Sequence, residues 1–359
     1  MWWLWAMLAS AAEPVVVVEC ASSAGGNYFR WATELAANID TFKLLVHPTY
    51  GSAENLQLLS GERVELAIAQ ADVAWHVWSG SGRLPADERL RSLGRAFPEL
   101  VHLVVPADSD IHQLGDLDGK VVDMGHPGSG SMYNAFDVVA AAGLSDVHYD
   151  YGGAIFDGRL GTVVDAGFMT SAAPSDFLLI SEYRVIPLGA TVVERLAGAP
   201  YYSQADLPEE YGVDGLTIRV EGLVVVREDF DPERARAILE KSDLSADGVS
   251  IPLLPEAAAW YVERGVDLPK SPSRDYEPQA LPALPPLQAQ AEANDDEVRY
   301  READEVVSAA LGAHPSLRLA RLSAERADLF VETARAGFLP TLSAASSVGD
   351  GGWNHSAVV

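Results

Sequence analysis

The chain has 359 residues and a formal net charge of −27, and nearly half of its residues are apolar. That length is enough for two or three domains with a substantial core. So acidic a surface repels the phosphates of nucleic acids, so nucleic-acid binding is not expected. Cys20 is the single cysteine, so the chain is not a disulfide-stabilised scaffold.

The first residues form an apolar run that ends in the small residues Ala9-Ser10-Ala11. Small residues at this place are typical of a signal-peptidase cleavage site. The run is too short to span a bilayer, and it lacks the basic residues with which signal peptides usually begin. We therefore predict a signal peptide over residues 1–12, shortened at its start, and an exported protein.

Short apolar strands and helical patterns alternate between residues 14 and 265. Apolar runs predict strands at 15–19, 42–47, 66–69, 100–106, 120–124 and 216–227. Helical spacing predicts helices at 28–39, 52–60 and 132–140. This alternation predicts an α/β architecture with largely parallel sheets.

Loops rich in glycine and hydroxyl side chains follow three of these strands, at residues 22–28, 48–52 and 125–131. Where such a loop opens a helix, unpaired backbone N–H groups and the helix dipole attract an anion. Ligands of open α/β sheets bind at the carboxyl ends of strands. The three loops therefore predict a cleft that holds a polar ligand through main-chain groups. An ordinary capped strand-to-helix turn is the alternative for each loop.

Known catalytic and cofactor patterns do not occur in the sequence. Tyr133 stands where a dinucleotide-binding loop needs its third glycine, and Pro127 and Ser131 stand where a nucleophile elbow needs glycines. The histidines have no metal-ligand spacing. We therefore predict a protein that binds without chemistry, with no catalytic residues, cofactor or metal.

Two interpretations of Asp72 stay open. Asp72 ends an apolar strand, and Asp is a preferred N-cap for the helix expected after it. Its side chain could equally contact an amine of a ligand across the cleft. The pair Tyr201-Tyr202 is interpreted as packing.

The sequence resembles the TAXI-type solute receptors of TRAP transporters over residues 15–265. The matching segments, in family order, are residues 25–29, 48–56, 69–74, 98–102, 116–120, 127–131, 200–202 and 255–265. The resemblance implies a two-lobed, type II periplasmic-binding-protein-like fold. Residues 13–105 with 206–267 would form lobe 1, and residues 106–205 would form lobe 2. It also implies a periplasmic receptor that captures a small anionic or zwitterionic solute, a carboxylate or an amino acid, and delivers it to a membrane permease.

Carried over residue by residue, the resemblance implies ligand contacts at Ser23, Gly25, Gly26, Asn27, Tyr28, Thr49, Tyr50, Gly51, Ser52, Gln70, Ala71, Asp72, Gly128, Ser129, Gly130 and Ser131. The chain departs from the family at three positions. Tyr50 replaces a usual glycine and narrows the expected pocket, and Ala71 replaces a usual serine and removes a hydroxyl. Pro106 replaces a usual arginine.

The C-terminal part has a different composition. Residues 268–297 are rich in proline and predict an extended linker. Residues 298–359 resemble the opening of a TolC-like outer-membrane efflux protein, with a helix at 303–337 and a strand at 342–353. One strand cannot close a barrel, so the tail is interpreted as a fusion remnant, a truncated sequence, a docking helix or a poorly ordered amphipathic helix.

Two other functions stay open beside the receptor. One is a component of an outer-membrane efflux channel fused to a receptor-like module. The other is an enzyme of a related two-lobed fold.

Overall fold

The computed structural model describes residues 17–23, 26–81, 84–180, 182–278, 343–349 and 352–358. The predicted signal peptide, Gly25, residues 279–297 of the predicted linker and the predicted helix at 303–337 lie outside these residues. Among the described helices, none is both long and apolar enough to cross a bilayer.

The first part of the fold is three parallel strands with helices between them. Its elements are β1 (Val17–Ser23), α1 (Asn27–Asn38), β2 (Lys43–Thr49), α2 (Ser52–Ser60), β3 (Leu66–Gln70) and α3 (Ala71–Ser79). β1 lies between β2 and β3 and is parallel to both. The loops after these strands therefore leave the sheet at one edge.

Two long strands, β4 (Leu90–Pro106) and β10 (Leu216–Arg227), run antiparallel to each other through the middle of the sheet. β10 pairs with β3 at one end and with β9 (Tyr202–Asp206) at the other. β4 pairs with β10 in its first part and with β7 (Ala166–Ser171) in its last part. Both long strands thus pass from one half of the molecule to the other, and they join two lobes.

The second lobe contains the remaining central elements. They are β5 (Val121–Asp123), α4 (Gly130–Ala142), β6 (His148–Asp150), α5 (Ala154–Asp157), β7, α6 (Asp176–Ile180), β8 (Tyr183–Ile186), α7 (Ala190–Leu196) and β9. β5 is parallel to β6 and β7, whereas β8 is antiparallel to β4. The chain then returns through β10 to α8 (Pro232–Glu240) and α9 (Pro255–Glu263) on the first lobe.

Alternate residues of β3 pack into two separate hydrophobic cores, because successive side chains of a strand point to opposite faces of the sheet. Leu66 and Ile68 pack in a core under α1, α8 and α9. Ala67 and Ala69 pack in a larger core that also holds Phe136 of α4. The larger core is therefore continuous from the first lobe into the second.

The predicted α/β, two-lobed fold is confirmed, but the prediction of largely parallel sheets is wrong at the centre of the sheet. β10 returns beside β3 in the opposite direction, and β4 is antiparallel to β10, β7 and β8. The first part of β4, residues 90–99, was not predicted as a strand. Arg91, Arg95 and Glu99 interrupt its apolar pattern there.

The C-terminal predictions are partly within the described residues. Residues 268–278 form neither helix nor strand. The predicted single strand at 342–353 is instead an antiparallel pair, β11 (Ser343–Gly349) and β12 (Gly352–Val358). The sequence over residues 349–352 is rich in glycine, the residue type that tight hairpin turns favour, and this signal was missed.

Candidate functional site

The loops that follow β2 and β5 touch across the two lobes. The backbone N–H groups of Ala53 and Glu54, in the first turn of α2, donate to the carbonyl oxygen of Gly128 at 3.1 and 3.3 Å. The Tyr50 ring stacks on the His126 ring with centroids 3.5 Å apart. The two predicted loops therefore converge, but these first-turn donors of α2 bind a carbonyl of the protein.

Several N–H groups of the loop at 125–131 are satisfied within the protein. Gly125 N–H donates to the Asp123 carboxylate at 3.0 Å, and Ser129 N–H donates to the His126 carbonyl at 2.8 Å. The Ser129 hydroxyl caps α4 by accepting from the N–H of Met132 at 3.4 Å. Protein oxygens already accept from these particular N–H groups, which serve a capped turn. Ligand contacts of this loop stay a prediction.

Polar side chains of both lobes meet behind these loops, and we call them the interlobe polar cluster. Its members are Tyr28, Ser52, Gln70, Asp72, Glu99, Asn134, Asp137, Thr170 and Tyr202. All of them except Thr170 are buried. Because a buried polar group is costly unless it is hydrogen-bonded, their contacts decide what the cluster can do.

Asp72 connects the lobes through Asn134 and Tyr202. Asn134 Nδ2 donates to Asp72 Oδ2 at 2.8 Å, and the Tyr202 hydroxyl lies 3.2 Å from the same oxygen and 2.9 Å from Asp137 Oδ2. The Thr170 hydroxyl donates to Asn134 Oδ1 at 2.7 Å and so fixes the orientation of that amide. Burial, together with the charges of Asp137 and Asp72, raises the pKa of Tyr202 well above its ordinary value.

The structure decides between the interpretations of Asp72 only in part. α3 begins at Ala71 with Gln70 as its N-cap residue, so Asp72 lies in the first turn and is not the cap. A carboxylate in the first turn still interacts favourably with the helix dipole.

Glu99 is the centre of the second half of the cluster. The Tyr28 hydroxyl donates to Glu99 Oε2 at 2.7 Å, and Gln70 Nε2 lies 3.4 Å from the same oxygen. Burial raises the pKa of Glu99 to about 8, against the stabilising effect of these two donors on the charged form. At neutral pH this carboxyl group is therefore mostly protonated.

Gln70 and Gly130 bring the lobes into close contact. A Cβ atom on Gly130 would lie 2.1 Å from Gln70 Oε1 and 2.9 Å from the Ser52 hydroxyl oxygen. Ser52 in turn accepts from the N–H of Gln70 at 3.0 Å. Gln70 Oε1 is buried and has no hydrogen-bond partner among the described residues. Glycine at position 130 is what permits this approach.

The structure brings together only part of the predicted ligand-binding set. At the interface lie Tyr28, Tyr50, Gly51, Ser52, Gln70, Asp72, Gly128, Ser129 and Gly130. The Ser131 hydroxyl accepts from the N–H of Thr170 at 3.0 Å within the second lobe. The others have different surroundings. Asn27 accepts from Arg30, Thr49 donates to Asn55, and the carbonyl of Ala71 accepts from Ser250. Ser23 is half-buried at the end of β1, Gly26 is exposed, and Gly25 is not described.

Sequence reasoning missed Glu99, Asn134, Asp137 and Thr170 and interpreted Tyr202 as packing only. Glu99 was read only as part of a family segment, although a lone carboxylate between apolar residues of a strand is a signal that could have found it. Asn134 lies on the predicted helix after the glycine-rich loop, where its buried neighbours Tyr133 and Ala135 gave no polar face.

Comparison with known protein families identifies the chain. The model of the NMT1-like family matches residues 20–243, which is more than half of the chain. The chain belongs to the NMT1-like family. In this NMT1-like chain the match includes β3, α3, β4 and α4, which carry most of the interlobe polar cluster.

Solved structures similar to the NMT1-like chain are distant in sequence. The alkanesulfonate-binding protein SsuA from Xanthomonas axonopodis pv. citri is 18% identical, with a TM-score of 0.41 over 64% of this chain and 71% of its own. A periplasmic binding protein from Brucella ovis with glutathione bound is 14% identical, with a TM-score of 0.39 over 62% of this chain and 65% of its own. A protein from Bordetella bronchiseptica RB50 is 13% identical, with a TM-score of 0.44 over 90% of both chains.

Proposed function

We propose that this NMT1-like protein is an extracytoplasmic receptor that binds a small solute between its two lobes. The proposal includes the finer assignment implied by the sequence, a TAXI-type receptor that delivers its solute to a TRAP permease. The apolar N-terminal run with its Ala9-Ser10-Ala11 site supports export.

The observation that carries the proposal is the interlobe polar cluster. Tyr28, Gln70 and Asp72 come from the first lobe, and Asn134 and Thr170 come from the second. A core that served only stability would not need so many buried polar groups between two bodies joined by two strands. Such a connection suits hinge motion, in which closure buries a ligand between preformed polar groups.

The proposed contacts combine part of the sequence-derived set with two residues that the structure adds. They are Tyr28, Ser52, Gln70, Asp72, Gly128, Ser129, Gly130 and Ser131, together with Glu99 and Asn134. No step of chemistry is assigned to any of them.

A thermal-shift screen of the full chain tests the receptor function. A ligand that binds only the native state at about 100 times its Kd stabilises it by about 2.7 kcal/mol. For a protein of this size that corresponds to a rise in Tm of roughly 5 °C. We expect at least one compound in a broad panel of amino acids and organic acids to produce it.

Neutral sugars of similar mass serve as the control panel. A screen in which no amino acid or organic acid changes the Tm would contradict the receptor function. A rise produced equally by the sugars would contradict the expected class of solute.

A further inference from the structure

Two further carboxyl groups, Asp72 and Glu221, act electrostatically on the buried carboxyl group of Glu99. After burial, the groups that most affect the pKa of Glu99 are Tyr28 of α1, Gln70 of β3, Asp72 of α3 and Glu221 of β10. The first two are neutral and the last two are carboxyl groups. Arg219 Nε lies 2.7 Å from Glu221 Oε1, so the charge of Glu221 is compensated by an adjacent ion pair.

The side chain of Gln70 gives independent evidence that a hydrogen-bond donor is missing beside Glu99. Its Oε1 atom is buried, faces the start of α4, and has no partner among the described residues. Leaving a buried amide oxygen without a hydrogen-bond donor costs free energy. A ligand group that binds here must therefore carry an N–H or O–H donor. A further carboxylate would bring neither a donor nor a favourable charge to the place.

We propose that Glu99 and Gln70 Oε1 bind a protonated amine of the solute. This inference rests on the proposed receptor function and narrows its solute to an amine or an amino acid. An ammonium group carries three N–H donors and one positive charge. It therefore matches two acceptors at once and compensates the charge of a buried carboxylate.

Binding of an ammonium group moves a proton. The neutral carboxyl group of Glu99 gives its proton to the buffer, and the resulting carboxylate pairs with the ammonium group, which keeps all of its own protons. Because burial keeps this carboxyl group mostly protonated at pH 7, close to one proton is released for each solute bound. The affinity for the amine accordingly rises between pH 6 and pH 8.

Isothermal titration calorimetry of the full chain with matched compounds tests the inference. The pairs are glycine and acetate, L-alanine and propionate, and L-glutamate and glutarate. We expect the amine-bearing member of a pair to bind at least tenfold more tightly than its counterpart at pH 7. Titrations in phosphate and in Tris, which differ in ionisation enthalpy, measure the proton release.

Glu99→Gln is the decisive variant, because an amide has the shape of the protonated carboxyl group and cannot become charged. We expect Glu99→Gln to keep the Tm of the wild type within a few degrees, to bind the amine at least tenfold more weakly, and to release no proton. Glu194→Gln, an exposed substitution on α7 in the second lobe, is the matched control and keeps wild-type affinity.

Three results would overturn the amine inference and leave the receptor function standing. They are equal affinity for both members of every pair, tighter binding of the deaminated members, and unchanged amine affinity in Glu99→Gln. If Glu99→Gln does not fold, wild-type binding without proton release overturns it instead. Failure of all six compounds to bind also removes it, while the larger screen decides on the receptor function separately.

Discussion

Gly130 shows how closely the two lobes approach each other. Its Cα atom lies against Gln70 and Ser52 with no room for a side chain, because a Cβ atom would come within 2.1 Å of Gln70 Oε1. Ser52 cannot easily move, since its hydroxyl accepts from the N–H of Gln70. A larger residue at position 130 therefore acts as a wedge between the lobes.

Gly130→Val is expected to abolish the ligand-induced rise in Tm while leaving a folded protein, because the wedge keeps the solute from contacting both lobes at once. The Tm with and without solute and the far-ultraviolet circular dichroism spectrum measure this. Gly115→Val is the matched control, since a Cβ atom there would meet nothing within 4 Å. An undiminished rise in Tm for Gly130→Val would show that the approach of the lobes is not needed for binding.

Residues 268–278, the first part of the predicted linker, are attached to the folded body. Trp75 Nε1 donates to the carbonyl of Ser273 at 3.0 Å, and the Tyr276 ring packs edge-on against Trp75 and Tyr201. The Arg274 guanidinium lies 4.4 Å from the ring centroid of Trp78. The high proline content correctly predicted that this segment forms neither helix nor strand. It did not predict the contacts that Tyr276 makes with the folded body.

Tyr276→Ala is expected to lower the free energy of unfolding by about 1–2 kcal/mol, because it removes a half-buried aromatic ring from two edge-to-face contacts. Urea unfolding of the full chain measures it. Glu277→Ala, an exposed neighbour, is the control and should change the unfolding free energy by less than about 0.5 kcal/mol. Equal unfolding curves for both variants would mean that the segment is a free linker after all.

Sequence patterns predicted those cluster residues that end an apolar strand, and they failed for those that depend on distant pairing. Gln70 ends the fully buried strand β3 and Asp72 follows it, so their place at a sheet edge could be inferred. Glu99 meets Tyr28 across 71 positions of the chain, and Asp72 meets Asn134 across 62. Periodicity carries no information on such partners, because it reports only which face of an element is buried.

The same limit explains why the sequence could not show which N–H groups of the loops are already paired within the protein. A glycine-rich turn before a helix has unpaired N–H groups only if no protein oxygen reaches them. Here Gly128 supplies its carbonyl to α2 from the other lobe, and Asp123 supplies its side chain to Gly125. Neither contact can be read from the local sequence.

The two lobes share one core and two long strands, so we expect them to unfold together. The larger core contains Trp75 of the first lobe together with Phe136 and Val193 of the second. Residues 90–100 of β4 also pair with residues 219–227 of β10, and both strands belong to both lobes. Loss of either lobe would therefore expose apolar surface of the other and break the pairing of the strands that both need.

We expect differential scanning calorimetry to give a single transition for residues 17–278 within the full chain, with a calorimetric enthalpy equal to the van't Hoff enthalpy. Gly130→Val separates the lobes at the cleft but leaves the shared core and both long strands, so it should lower the Tm without splitting the transition. Two resolved transitions in the wild type would mean that the lobes unfold independently. In that case the shared core would not hold the lobes together, and the contacts of the interlobe polar cluster would be left as the main stabilisation of the closed arrangement.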